Sequence, residues 1–336
     1  MQRSSSSHQS SIPSAYQHIS TSEHYLMFIY GILSLALAIA LFSLFLMFTA
    51  TGKPFRYGWS RCLLALTMGV FVYLYGTWVY LTVYAKYVFG ICLLLCLLSA
   101  FFRKRRGTAK APKPWARFLS LLWSGIFIVL CITYFTGTTG LEQKKVELAF
   151  PLKTGQYFVL QGGKGLPTNL FHYSLRGAIY AMDIVKLNSW GGRADKVFSQ
   201  RLEDYEIFND TIYSPCAGRV LRAYSDNPDN IPPNMDRGPQ NTNQVLLETD
   251  SSYIFLAHMK KGSVVVHEGQ WVVQGQALGC VGNSGFSSEP HLHIQAHAKS
   301  GPDVPWYMCP PLYISFNGKS YLLYEVIRPK RVEMVE

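Results

Sequence analysis

Charge is scarce in this 336-residue chain: 15% of its residues are Asp, Glu, Lys or Arg, against 49% hydrophobic, a balance unusually apolar for a soluble protein. There is no internal repeat, and nothing after Gly140 shows a long helical period, so the second half is not a helical array. Of the seven cysteines, the three outside the apolar runs show no paired metal-ligand spacing. Cys62, Cys92, Cys96 and Cys131 lie in apolar runs, and Cys216, Cys280 and Cys309 leave an odd number elsewhere. That pattern excludes a cysteine zinc finger and a dense disulfide framework, while a single bridge to Cys309 stays open. No small-residue cleavage site follows the first apolar run, which is also too long for the core of a signal peptide. No acid interrupts the stretch Arg103–Arg117.

Against these absences stand long apolar runs. Tyr25–Ala50, Cys62–Tyr84, Tyr87–Phe102 and Phe118–Phe135 read as membrane-spanning helices, since a helix needs about 20 apolar residues to cross a bilayer. Four spans are expected, or three if the second and third runs form one bent segment. Residues 1–24, rich in Ser, read as a disordered tail, residues 25–137 as the transmembrane region, and residues 138–336 as a separate domain. The linker with Arg103, Lys104, Arg105, Arg106, Lys110, Lys113 and Arg117 belongs on the cytoplasmic side by the positive-inside rule, together with Lys53, Arg56 and Arg61. Everything after Gly137 then lies outside the cytoplasm.

The net charge of +11 suggests nucleic acid at first sight. Counted along the chain, residues 138–336 hold about 19 basic and about 19 acidic side chains, so the excess sits in the membrane half, where topology demands it. No nucleic-acid partner is expected.

Residues 138–336 carry β signals: Gly155–Gln161, Gly218–Tyr224, Gln244–Glu248, Tyr253–Leu256 and Ser263–Val266 are short, β-branched or aromatic, and bounded by turn formers. An all-β core follows, with Asp226–Asn243 as a long rim loop. Candidate chemistry is concentrated near the end. Gly282–Gly285 leads through Glu289 and Pro290 to His291, Leu292 and His293, two imidazoles on one face of a strand. Upstream lie Asn169 to His172, then Tyr180, Ala181 and Asp183, and later Ala257 and His258 before the Gly262 turn. His267 and His297 read as solvated positions, Tyr253 and Phe255 as core, and Trp271 as packing in the Gly269–Gly279 hairpin.

These segments, over roughly Gly155–His297, resemble the lysostaphin-like zinc metallopeptidases, the LytM or M23 family, which cut peptidoglycan peptides. The resemblance implies an antiparallel, lysostaphin-like domain with His172, Asp183 and His293 as ligands of one Zn2+ and His258 and His291 as the catalytic pair. Two imidazoles and a carboxylate leave the fourth position that a catalytic zinc needs open. The sequence departs from the family at one point: the first ligand usually lies four positions before the aspartate, here Ile179. His172, eleven residues before Asp183, must be brought back by an excursion through Tyr173–Gly177.

The implied protein is a zinc endopeptidase of the bacterial cytoplasmic membrane, its domain on the periplasmic or cell-wall side and peptidoglycan its substrate. The number of spans points to membrane-protein partners. The alternative is an inactive LytM-like domain that binds wall peptides or activates another hydrolase.

Overall fold

The computed structural model describes residues 14–102, 111–139, 144–174, 176–235, 241–301 and 303–329. The apolar half forms α1 (Ser14–Thr51), α2 (Phe55–Tyr75), α3 (Val83–Phe102) and α4 (Pro114–Thr136). α1 packs on α2 and α3, and α2 packs on α3 and α4. Gly69 permits one of these approaches: a Cβ there would meet Leu93 Cδ2 at 2.6 Å, the small-residue contact that brings membrane helices close. The helices run alternately up and down. Thr51 at the end of α1 faces Ser99 near the end of α3, and Arg117 in α4 donates to the Arg56 carbonyl of α2.

Among the described residues, three stretches are long and apolar enough to cross a membrane: Glu23–Thr51, Phe55–Tyr75 and Pro114–Thr136. In α3 the apolar part is the shorter Val83–Ser99, so the expected four spans become three candidates and one shorter helix. The run Cys62–Tyr84 is divided, because α2 starts after Pro54 and stops at Tyr75. Its last residues are apolar for another reason: Trp78, Val79 and Val83 are at most 3% exposed, and Val79 and Val83 lie against Phe158, Val185 and Leu187 of the β domain. α1 begins at Ser14, within the stretch expected to be a tail. Residues 1–13 and 103–110, the latter with most of the basic linker, lie outside the described residues.

The C-terminal domain is a mainly antiparallel β structure. Leu292–Ala298 runs through its main sheet between Met182–Leu187 and Ser252–Ala257, and Gln244–Glu248 and Gly218–Tyr224 extend the sheet beyond the latter. One face of these strands forms the core, with Ile184, Ile254, Leu256, Leu292 and Ile294 wholly buried. Alternation then sends Asp183, His293, Gln295 and His297 to the opposite face. Ser263–Val266 is not a strand, although its Val265 amide donates to the Leu278 carbonyl. All seven cysteines are free thiols, so the bridge to Cys309 does not form.

The domain sits on one end of the helices. Tyr25 of α1 reaches Ser288, Val83 N–H of α3 donates to the Gly191 carbonyl, Lys86 donates to Tyr324 O, and the Tyr134 hydroxyl of α4 donates to Leu323 O. Arg193 and Glu289, 1% and 3% exposed, form a bidentate pair with Nη2 to Oε2 at 2.6 Å. The Tyr80 ring covers the guanidinium at 4.1 Å. Glu289 lies two residues before His291, so this seam buttresses the site. Replacing Arg193 with Ala should leave the Glu289 carboxylate buried without its partner and destabilise the full chain by about 3–5 kcal/mol; thermal unfolding in detergent measures the loss.

Candidate metal centre

Four imidazoles and one carboxylate converge on one face of the sheet, at the start of the strand Leu292–Ala298. The antiparallel register sets His293 directly opposite Asp183, and places Ala257, whose next residue is His258, on the other side of His293. His258 ends its strand in the left-handed region at φ +63°, a conformation uncommon outside glycine, and its ring turns toward His291, with centroids 4.7 Å apart. His172 arrives from a short helix, Leu170–Tyr173, followed by a 3₁₀ turn over Arg176–Ala178 instead of a hairpin. The excursion succeeds: His172 Nε2 lies 3.3 Å from Asp183 Oδ2, and the His172 and His293 rings meet edge to face at 5.0 Å. All five residues named from the sequence are therefore brought together.

For three of the rings, hydrogen bonds to oxygens that only accept assign the nitrogen that carries the proton. Asn169, fully buried, donates through Nδ2 to the Ile179 and Ala181 carbonyls. Its Oδ1 must then accept from His172 Nδ1, 2.9 Å away. His258 Nδ1 donates to the Ser284 carbonyl at 2.8 Å, and His291 Nδ1 to the Glu289 carbonyl at 2.8 Å. The Nε2 lone pairs of His172 and His291 consequently face the Asp183 carboxylate, at 3.3 and 3.4 Å. His293 Nδ1 lies 2.9 Å from Asp183 Oδ1.

Lone pairs facing a carboxylate repel unless positive charge lies between them. Two sets of donor atoms, His172, Asp183 and His293 on one hand and His258, His291 and His293 on the other, lie within 4.8 Å of one another. Two neutral imidazoles and a carboxylate are the donors zinc accepts, so the residues fit the metal. Without a cation, protons must supply the charge. Burial would raise the Asp183 carboxyl, but His172 and His291 hold it well below the usual carboxylate range. Burial likewise opposes charging of His291, yet Asp183 and the Glu289 carbonyl outweigh it and leave its pKa raised. Burial, reinforced by His291 and His293, pushes His258 well down, and burial also lowers His293.

Asp226–Asn243 is more than a rim loop. Asp229 accepts the Asn283 and Lys261 amides, Asn230 donates to the Ser287 carbonyl, and Asn243 ties Asn227 to Met259. These bonds clamp the Gly282–Ser287 loop whose Ser284 carbonyl orients His258. Residues 236–240 lie outside the described residues.

Some residues contradict their sequence reading. His297 is 0% exposed, donating from Nδ1 to the Cys309 carbonyl; its place near the strand's end suggested solvent, but the segment Trp306–Met308 covers it, with the Trp306 ring 5.4 Å away. Phe255 is only half buried, stacks on Trp306 at 4.8 Å and flanks His293. Trp271 is 62% exposed and packs little. His267 is exposed, as expected. Sequence reasoning missed Gln295, whose Oε1 meets His293 Nε2 at 3.1 Å. The alternation that joined His291 to His293 marks Gln295 and His297 when extended.

Residues 203–305 match the family model described as Peptidase family M23; the matched stretch holds His258, His291 and His293 but starts after His172 and Asp183. Among solved structures the chain is similar to lysostaphin from Staphylococcus simulans, at 18% identity over 46% of this chain and 47% of that one, with a TM-score of 0.28. It is also similar to a mutant catalytic domain of the prophage-encoded M23 protein EnpA from Enterococcus faecalis, at 20% identity over 46% and 90%, TM-score 0.28. A zinc-containing peptidase from Vibrio cholerae matches at 16% identity over 46% and 37%, TM-score 0.25. The chain thus spans less than half the length of lysostaphin and of the Vibrio peptidase. No curated protein matches it.

Asn169→Ala should release His172 from its tautomer and its position. A ~10–100-fold loss of zinc affinity is expected, read by competition with a chromophoric chelator.

Proposed function

We propose, from the match of residues 203–305 to the model of Peptidase family M23 together with the site geometry, that this chain is a membrane-anchored zinc endopeptidase that hydrolyses peptide bonds of peptidoglycan stem peptides or cross-links. The observation that carries this reading is the convergence of three imidazoles, His172, His291 and His293, on the Asp183 carboxylate, with His258 packed against two of them. His172, Asp183 and His293 would hold the metal. Bound there, zinc supplies Lewis acidity toward a water molecule and the scissile carbonyl.

The remaining chemistry falls to two side chains. His258 and His291 have their Nδ1 protons committed to the Ser284 and Glu289 carbonyls, which leaves each Nε2 free to take a proton from water and return it to the leaving amine. Their bonding oxygens belong to backbone, so neither ring needs to reorganise during turnover. A module that only bound wall peptides would need no such pair beside a complete ligand set.

The helices supply the anchor, and the distribution of charge supports the side of the membrane. Lys53, Arg56, Lys113 and Arg117 gather at the end of the bundle away from the domain, which the positive-inside rule places in the cytoplasm. We take α3 as a fourth pass, since it runs from the domain seam at Lys86 to Ser99 beside Thr51. The domain then faces the wall, confined to the layer where its polymer lies. Residual apolar surface on α4 suits other membrane proteins or lipid.

Two measurements test this. The full chain in detergent should hold about one zinc by elemental analysis and His172→Ala essentially none, whereas His291→Ala should keep the metal and lose peptidoglycan-digesting activity by at least ~100-fold. Zinc retained by His172→Ala refutes the ligand set, and a wild-type chain that takes up no zinc favours the binding or activating module. In intact cells, with native cysteines replaced, an impermeant thiol reagent should label a cysteine at Lys299 and spare one at Lys110; the reverse pattern inverts the topology.

A further inference from the structure

Three of the four imidazoles at the centre have tautomers set by an oxygen that only accepts: Asn169 Oδ1, the Ser284 carbonyl and the Glu289 carbonyl. His293 is different. Its outward Nε2 faces a side-chain amide, Gln295, at 3.1 Å, and an amide can present either its oxygen or its NH2. With NH2 toward His293, the proton would move to Nδ1, the nitrogen 2.9 Å from Asp183, and the lone pair required by a metal would point away from it.

The next residue on the same face removes the choice. Gln295 Nε2 lies 3.2 Å from His297 Nε2, and His297 Nδ1 lies 2.9 Å from the Cys309 carbonyl. A carbonyl has no proton to give, so His297 carries its hydrogen on Nδ1 and accepts at Nε2. Gln295 must then turn its NH2 to His297 and its Oε1 to His293. Only an Nε2–H on His293 satisfies that oxygen, and in the neutral ring this leaves the Nδ1 lone pair beside Asp183. All three side chains are at most 8% exposed, so water is a poor substitute for any link of the chain.

We propose that Gln295 and His297 are positioning residues, and that the Cys309 carbonyl, acting through both, sets the metal-binding tautomer of His293. The idea rests on the reading of His293 as a zinc ligand. Gln295 touches the ligand, whereas His297 acts only by orienting the amide. Orientation makes a specific demand: a carboxylate offers oxygen at both ends, so a glutamate at 295 would need no instruction from His297.

The first measurement uses the wild-type full chain, labelled with 15N-histidine and kept metal-free at mildly alkaline pH. Long-range 15N–1H spectra should show His293 protonated at Nε2 and His297 at Nδ1, assigned by loss of each signal in single variants; His293 protonated at Nδ1 overturns the proposal without any variant having to fold. The second is zinc affinity by chelator competition. His297→Phe should lower it by ~10–100-fold with the fold retained, and adding Gln295→Glu to His297→Phe should restore most of the loss. Unchanged affinity in His297→Phe, or a loss that Gln295→Glu leaves untouched, assigns His297 a packing role and overturns the proposal. A wild-type chain that binds no zinc defeats the peptidase reading instead, and the metal-free spectrum still decides the tautomer.

Discussion

Acceptors cannot share a small volume without positive charge among them, and the C-terminal domain is organised around a place where they do. Four imidazole nitrogens and a carboxylate are aimed inward, and each ring is held from behind by an oxygen of the surrounding fold. The register that pairs Asp183 with His293 supplies the centre, the end of the neighbouring strand supplies His258, and the clamped Gly282–Ser287 loop supplies the carbonyl that orients it. The cost of bringing these groups together is electrostatic, and a cation or protons offset it. The low Asp183 carboxyl and the raised His291 are shifted in the direction this demand requires.

Much of this was legible in the sequence because the relevant periods are short. Alternation on Leu292–Ala298 and turn residues around it mark a strand with two histidines on one face, and Gly218–Tyr224 and Gln244–Glu248 were recognisable to the residue. His172 lay beyond such reasoning. Its route to the site depends on Asn169, whose amide fastens the short helix to the Ile179 and Ala181 carbonyls before the Asp183 strand begins. His297 was misread because distance from a strand's end is no measure of burial when a later segment folds across it. Arg193 and Glu289, 96 residues apart, gave no local sign of pairing.

Hydropathy was clear about the apolar half but not about its limits. A residue is apolar whether lipid or protein covers it, so the turn from Gly76 to Thr82 merged with α2 in the sequence and separates from it only in three dimensions, where Val79 is covered by Phe158 and Val185. The same ambiguity made α3 look like its neighbours. Its first turn serves the domain seam, with Val83 buried against Phe158 and Val185.

The seam itself sets a geometric limit. α4 enters the domain through Gly137 and Thr138, the latter bonded to the Lys164 carbonyl, while α1, α2 and α3 each contribute contacts at the same end. Contacts from all four helices hold the domain at this end, so the height of the centre above the helix ends is a property of the fold. Under the proposed anchoring, such a protein would work as a ruler: it would reach material lying at one distance from the plane in which its helices stand, and material farther out would have to be brought to it.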